Sequence, residues 1–257
     1  DEIKPEFIWM EDDFRLHNHE PMDFGCFCDR HLALYNEKLD GNYDRESFVN
    51  GMTLADGEPF RRAYAEVNRK IFNDVTERIG SSLSGAKIGL MTSMARTYFV
   101  EGRDQRTVFR NLGKNAPSAN RIHLSSYRQR SPQEYTFDFN FSDRLEEFYT
   151  PRGTLILPEI ENFPHSPMSK SADFVRYQIL TACALCADGI TLSVFDFCGN
   201  GVSREWGYER VLADIKPFLN EVKNLGLRDK EKLGVKVMVN AISPQRKREK
   251  LTSLYDA

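Results

Sequence analysis

The sequence is poor in cysteine, has no long apolar run and carries no excess of either charge. Its 257 residues include five cysteines, an odd number and too sparse for a disulfide framework, which favours a reducing compartment and predicts a cytoplasmic protein. No stretch approaches the ~18 consecutive apolar residues of a membrane span, so no membrane association is expected. The opening residues DEIKPEFIWM have neither an initiator methionine nor the basic-then-apolar order of a signal peptide, as a trimmed or partial product would. Lysine and arginine number 35 against 38 aspartates and glutamates, a formal charge of -3. A surface that tracks phosphates normally shows a basic excess, so nucleic acid is not expected as a partner. No G-x-G-x-x-G or G-x-x-x-x-G-K loop follows any predicted strand, and short internal repeats and low-complexity segments are lacking too.

What is present is an alternation of strands and helices. Phe7-Ile8-Trp9-Met10 reads as a strand closed by the acidic cluster Glu11-Asp12-Asp13. A long helix is predicted from about Pro59 to Ile79, with Pro59 suited to a first turn and Gly80 as a stop signal. Strands follow at Lys87–Met91, Arg121–Leu124, Thr154–Leu157 and Ile190–Phe195. Helices are expected over Asp104–Leu112, around Ser142–Tyr149, after Ser171, and over Arg204–Asn224, before a last apolar run at Val235–Val239. Apolar strands separated by helices predict an α/β fold with a parallel sheet covered on both sides.

An open doubly wound sheet and a TIM-type (β/α)8 barrel both fit this order. In either, chemistry collects at the carboxyl ends of strands, where Glu11, Glu159 and Glu161 stand. The missing glycine-rich loops favour the barrel, although a full one needs eight strands in typically ~250 residues and only five or six are visible. Glycoside hydrolysis needs one carboxyl held protonated and a second held ionised, about 5 to 5.5 Å apart in a retaining enzyme. Glu11 and Glu161 are candidates, and aromatic and amide side chains suited to a sugar flank them: Trp9, Phe14, Asn18 and His19 by the first, Asn162, Phe163 and His165 by the second. Tyr127 and Phe195 follow strand ends and are further candidates for lining the pocket.

The segment Leu157-Pro158-Glu159-Ile160-Glu161-Asn162-Phe163-Pro164, with Arg176-Tyr177-Gln178 and Ala187-Asp188-Gly189-Ile190 beyond it, resembles the seventh strand, seventh helix and eighth strand of glycoside hydrolase family 42 β-galactosidases and their clan A relatives. The family's nucleophilic glutamate precedes a proline by three positions, a spacing that selects Glu161 over Glu159. Cys26-Phe27-Cys28-Asp29-Arg30-His31, with Tyr35 and Tyr43, is similar to the family's cysteine-containing segment after strand four. By this resemblance Phe7–Asp13 is the fourth strand and Glu11 the acid/base. Residues 1–228 then form the carboxyl-terminal part of the barrel, with strands one to three before residue 1, and residues 229–257 begin a following domain or linker. Clan A places asparagine immediately before the acid/base, where this chain has Met10, which leaves Asp12 and Asp13 beside Glu11 as alternatives for the acid. The implied activity is that of a retaining exo-glycosidase on β-linked galactosides or related β-mannosides, with no cofactor in catalysis and a homo-oligomer formed through a downstream domain.

Two further readings belong to the same residues. Cys26, Cys28 and His31 form a C-x-C-x-x-H cluster of soft ligands for a structural zinc, which takes four; the resembled family draws its remaining cysteine from upstream of strand four. Cys183 and Cys186 lie in an apolar helical run and read as packing. His17-Asn18-His19 after a strand is also the pattern of a metal-dependent barrel hydrolase, and a barrel that binds carbohydrate without cleaving it is a third class.

Overall fold

The computed structural model describes residues 3–11, 14–16, 24–83, 85–92, 98, 101–123, 127–161, 169–185, 187–193, 195–196, 201–202, 204–231 and 233–235, with positions 141, 142, 195, 196, 201, 202 and 206 described in backbone alone. The chain is α/β and divides into two compact units. The first comprises Asp1–Ile88, Ser93–Ser118 and Val237–Ala257, the second Gly89–Thr92 and Ala119–Lys236.

The first unit holds β1 (Phe7–Met10), α1 (Asp29–Leu39), α2 (Arg45–Thr53), α3 (Glu58–Ser82) and α4 (Gln105–Leu112). Helices α1 and α2 are not among the expected elements, yet both carry readable signals. Leu32, Tyr35 and Leu39 recur at helical spacing, and Asp44 caps α2 by accepting a hydrogen bond from the Ser47 N–H at 2.8 Å. Helix α3 runs two residues past Gly80. That glycine serves close approach rather than termination, since a Cβ there would lie 1.9 Å from the Asn111 carbonyl oxygen. Asp104 caps α4 through the Thr107 N–H. The core gathers Phe24, Tyr35, Phe48, Met52, Tyr64 and Val67, and the Tyr35 hydroxyl stays satisfied inside it between the Cys26 carbonyl and Asn68 Oδ1, each at 3.1 Å.

The second unit is built on parallel pairing. Strand β2 (Lys87–Thr92), whose first two residues belong to the first unit, pairs in parallel with β3 (Ala119–Ile122), and β3 pairs in parallel with β4 (Leu155–Ile156). The four-stranded sheet has the order β1-β2-β3-β4. Beyond β4 the chain continues as β5 (Glu159–Ile160), which pairs in parallel with β6 (Thr191–Leu192). The Thr191 N–H donating to the Pro158 carbonyl and the Ser193 N–H to that of Ile160 extend this pairing. A short antiparallel pair, β7 (Phe195–Asp196) with β8 (Gly201–Val202), follows. Within the expected strand Ile190–Phe195 the described residues in regular pairing are Thr191, Leu192 and Phe195, and the expected strand Thr154–Leu157 has two such residues, Leu155 and Ile156.

Helices α5 (Pro132–Tyr149), α6 (Ala172–Ala184) and α7 (Tyr208–Asn224) connect or follow these strands. Helix α5 starts ten residues before Ser142. Its start is marked by Ser131, which accepts a hydrogen bond from the Glu134 N–H, in the Ser-x-x-Glu order of a capping box with proline at the first helical position. Ser171 caps α6 as expected.

Strand alternation sorts the side chains of this unit onto two faces. Ile122 and Ile156 pack with Tyr135, Phe139 and Phe174; Ile160 packs with Val175, Ile179, Tyr208, Val211 and Ile215. Asn120 donates to Thr150 and Glu146 of the α5 region. These even-numbered positions all turn toward the helices. The odd-numbered ones, Arg121, His123, Glu159 and Glu161, turn to the other face.

Candidate functional site

A cluster of charged side chains lies on that other face, at the carboxyl ends of β3 and β5. Extending the register Asn120↔Ile156 by three residues sets His123 opposite Glu159. His123 Nδ1 approaches Glu159 Oε2 at 2.9 Å and Arg121 Nη1 reaches the same oxygen at 2.6 Å. The three side chains are 16%, 12% and 9% exposed for His123, Arg121 and Glu159. Charges so far removed from water are costly unless paired, so this arrangement is poor evidence for stability and good evidence for a site. Arg121 also lies beside Met91 Sδ on β2, and the Tyr127 ring sits 5.5 Å from that of His123.

Glu159 and Glu161 stand two apart on one strand end and share one face. Their environments push them in opposite directions. Burial opposes ionisation of Glu159, but the hydrogen bonds from His123 and Glu161 and the charge of Arg121 prevail and hold it down at about 2. Burial raises Glu161, and the ionised Glu159 beside it raises it further, to about 8, against the pull of Arg121 and Lys170. Lys170, buried just before α6, is lowered to about 7 by burial despite both carboxyls, and its Nζ donates to Gln178 Oε1 at 2.8 Å. Across neutral pH the two glutamates therefore hold one proton between them.

This split has a consequence for stability. Glu161 binds its proton more tightly folded than unfolded, so between its ordinary value of 4.5 and about 8 the folded state holds the extra proton and stability falls as pH rises. Lys170, lowered in the folded state, works the other way only above about pH 7. Thermal melts between pH 5 and 7 are expected to show a falling melting temperature, and Glu161→Gln is expected to flatten that slope; an equally steep slope in the variant would assign it elsewhere.

The other expected site residues are placed as follows. Glu11 is exposed at the end of β1 in the first unit, whereas Glu161 belongs to the second. Trp9 stacks on Phe7 with ring centroids 5.5 Å apart. Tyr127 joins the cluster through His123, and Phe195 lies on β7 with only its backbone described. His19, Asn162, His17, Asp12 and Asp13 lie outside the described residues. No family model, curated protein or solved structure matches this chain.

Cys26, Cys28 and His31 present ligand atoms within 4.8 Å of one another. Cys28 Sγ lies 3.1 Å from His31 Nδ1, and that hydrogen bond pulls the thiol down to about 6. The two cysteines line a cleft of about 530 Å³ with Arg15, Leu16, Phe24 and Arg45. Buried His31 Nε2 has no hydrogen-bond partner among the described residues. Two thiols and an imidazole are a donor set suited to zinc, and these residues would supply three of the four ligands that such an ion takes.

Arg121, His123, Glu159 and Lys170 are not among the expected site residues. The signal for the first three is short: Arg-x-His at one predicted strand end and Glu-x-Glu at the next, each pair two residues apart and therefore on one face. Lys170 has no such signal, because its place depends on the turn that leads into α6.

Proposed function

We propose that this chain is the carboxyl-terminal part of a (β/α)8 TIM barrel, and that it hydrolyses β-linked galactosides or related glycosides as a retaining exo-glycosidase. The observation that carries the reading is the Glu159–Glu161 pair at the carboxyl end of a parallel strand, on the face opposite Ile160 and the helices it packs against, with one carboxyl pushed toward the ionised and the other toward the protonated form. Strand order that follows the chain, β1-β2-β3-β4, supports a barrel, since a doubly wound sheet reverses its order at a switch point. The acid and nucleophile of a retaining site flank the scissile bond about 5 to 5.5 Å apart, a placement that two neighbours on one strand end do not supply. One of the two reacts, and its counterpart is a carboxyl elsewhere. In this proposal Glu161 is the nucleophile, and the acid/base role falls to Glu11. A structural zinc on Cys26, Cys28 and His31 and a cytoplasmic setting complete it.

Incubation with activated 2-deoxy-2-fluoro-glycosides of galactose, mannose and glucose tests this reading, because these reagents arrest a retaining enzyme as its glycosyl ester. Intact mass is expected to rise by one sugar, and peptide mapping to place it on Glu161. The reagent that reacts fastest names the sugar; no adduct with any of the three would overturn the retaining mechanism.

One observation favours a second assignment within the same chemistry. Glu161 carries a proton at neutral pH, as a general acid must. The nucleophile would then be another carboxylate, and the adduct would map there.

A further inference from the structure

Arg121 and His123 meet Glu159 at one oxygen, and the chemistry of that meeting fixes the hydrogen of the imidazole. Arginine is always a donor, so the Glu159 Oε2 that Arg121 Nη1 reaches at 2.6 Å is an acceptor bearing carboxylate charge. His123 Nδ1, 2.9 Å from the same oxygen, is then the ring nitrogen that carries the hydrogen. In a neutral imidazole with its hydrogen on Nδ1, Nε2 is the acceptor. Among the described residues the second polar contact of the ring, Tyr127 Oη at 3.5 Å, also goes to Nδ1, and none goes to Nε2. The ring has a rigid support, since the His123 N–H donates to the Thr92 carbonyl at 2.8 Å and continues the pairing of β2 with β3. Glu161 stands on the same face beyond Glu159, roughly 6–7 Å further along the strand.

We infer that His123 is a substrate-binding residue of this site: Glu159, itself braced by Arg121, holds the imidazole by Nδ1 so that Nε2 accepts a hydrogen bond from a hydroxyl group of the sugar bound at Glu161. This role rests on the reading of the chain as a glycosidase. Hydroxyls are the only hydrogen-bond donors of a neutral hexoside, so such an acceptor selects by position. A substrate that lacks the one hydroxyl, or carries it in the other configuration, leaves Nε2 unpaired. The Tyr127 ring, tilted by 57° with its centroid 5.5 Å from that of the imidazole, flanks the same residue.

Two measurements on the whole protein test this. Long-range proton–nitrogen correlation of the histidine rings, with His123 assigned by its loss in His123→Asn, reads which nitrogen carries the hydrogen. At about pH 8, above the ordinary histidine range, the hydrogen is expected on Nδ1 alone, and Glu159→Leu is expected to release the ring into a mixture of both forms. The second measurement compares the nitrophenyl glycoside of the sugar that labels fastest with its monodeoxy analogues. His123→Asn keeps an amide at the place of Nδ1, and with it the hydrogen bond to Glu159, but has no atom at the place of Nε2. The variant is expected to lower kcat/KM about 10- to 100-fold on the parent glycoside. On the one analogue that lacks the partner hydroxyl the loss should be less than about threefold. A residue that only braces Glu159 would lose nothing in His123→Asn, and one that acts through the fold would lose equally on every analogue; either result overturns the inference and leaves the glycosidase standing. A hydrogen on Nε2 in the wild type, beside a glycosyl adduct on Glu161, does the same. A hydrogen on Nδ1 in a protein that forms no adduct overturns the glycosidase, and with it the sugar as the ligand of Nε2.

Discussion

Glu161→Gln is expected to slow hydrolysis of a glycoside with a poor leaving group by about 10⁴-fold or more, since the reacting carboxylate and its covalent intermediate are both lost. The leaving group then separates two roles. A nucleophile is needed whatever departs, so a 2,4-dinitrophenyl glycoside should be turned over as poorly as an alkyl one. A general acid is needed only where the departing oxygen must be protonated, and the dinitrophenyl substrate should keep most of its rate. The pH dependence of kcat/KM gives an independent sign. With Glu161 as nucleophile the rate climbs toward pH 8 as the shared proton leaves; with Glu161 as acid it declines through the same range. Full activity of the variant on both substrates would remove Glu161 from the chemistry.

Arg103→Met is expected to destabilise the protein by about 3–5 kcal/mol, the cost of removing the cation from a buried ion pair. Arg103 Nε lies 2.7 Å from Glu101 Oε1, and the two side chains are 1% and 0% exposed. The guanidinium is also enclosed by aromatic faces, 4.1 Å from the Tyr98 centroid and 4.4 Å from that of Phe72. It donates as well to the Phe14 carbonyl, and the Leu16 N–H donates to Glu101 Oε2 at 2.7 Å. The arginine thus ties the chain after β1 to the interior of the first unit. Methionine fills much of the same space but removes the cation beside the Glu101 carboxylate, so the double variant Arg103→Met, Glu101→Gln should recover part of the loss. Urea unfolding of the three proteins measures this. A single-variant loss below about 1 kcal/mol, the range of exposed pairs, would show that the pair is not buried in solution.

Much of the fold is legible in the sequence, and the failures have identifiable causes. Strand β2 is visible because Ile88 and Leu90 supply its apolar positions, and α3 because its apolar period persists over 25 residues. Helix α1 lies under a cysteine motif that invites a metal reading, although Leu32, Tyr35 and Leu39 mark it. Helix α5 is underestimated because aromatic and polar residues alternate through Tyr135–Ser142, which obscures the helical period; the Ser131–Glu134 box marks its true start. At the site, the strand ends and the two glutamates there are readable. Which glutamate holds the proton is not readable, because it follows from burial and from Arg121 and His123, which join Glu159 from 38 and 36 residues away in the chain.

The two-faced alternation of β3 through β5 has a bearing on how this protein can change. Positions 120, 122, 156 and 160 hold the helices to the sheet, while 121, 123, 159 and 161 hold charge and proton, on the same strands and one residue apart. Neighbours in sequence thus answer to different demands. Variation confined to the odd set can alter what the molecule reacts with at little expense in packing, and variation confined to the even set can tune how firmly it holds together without rewriting its chemistry. A one-residue insertion in either strand would exchange the two sets and forfeit both at once.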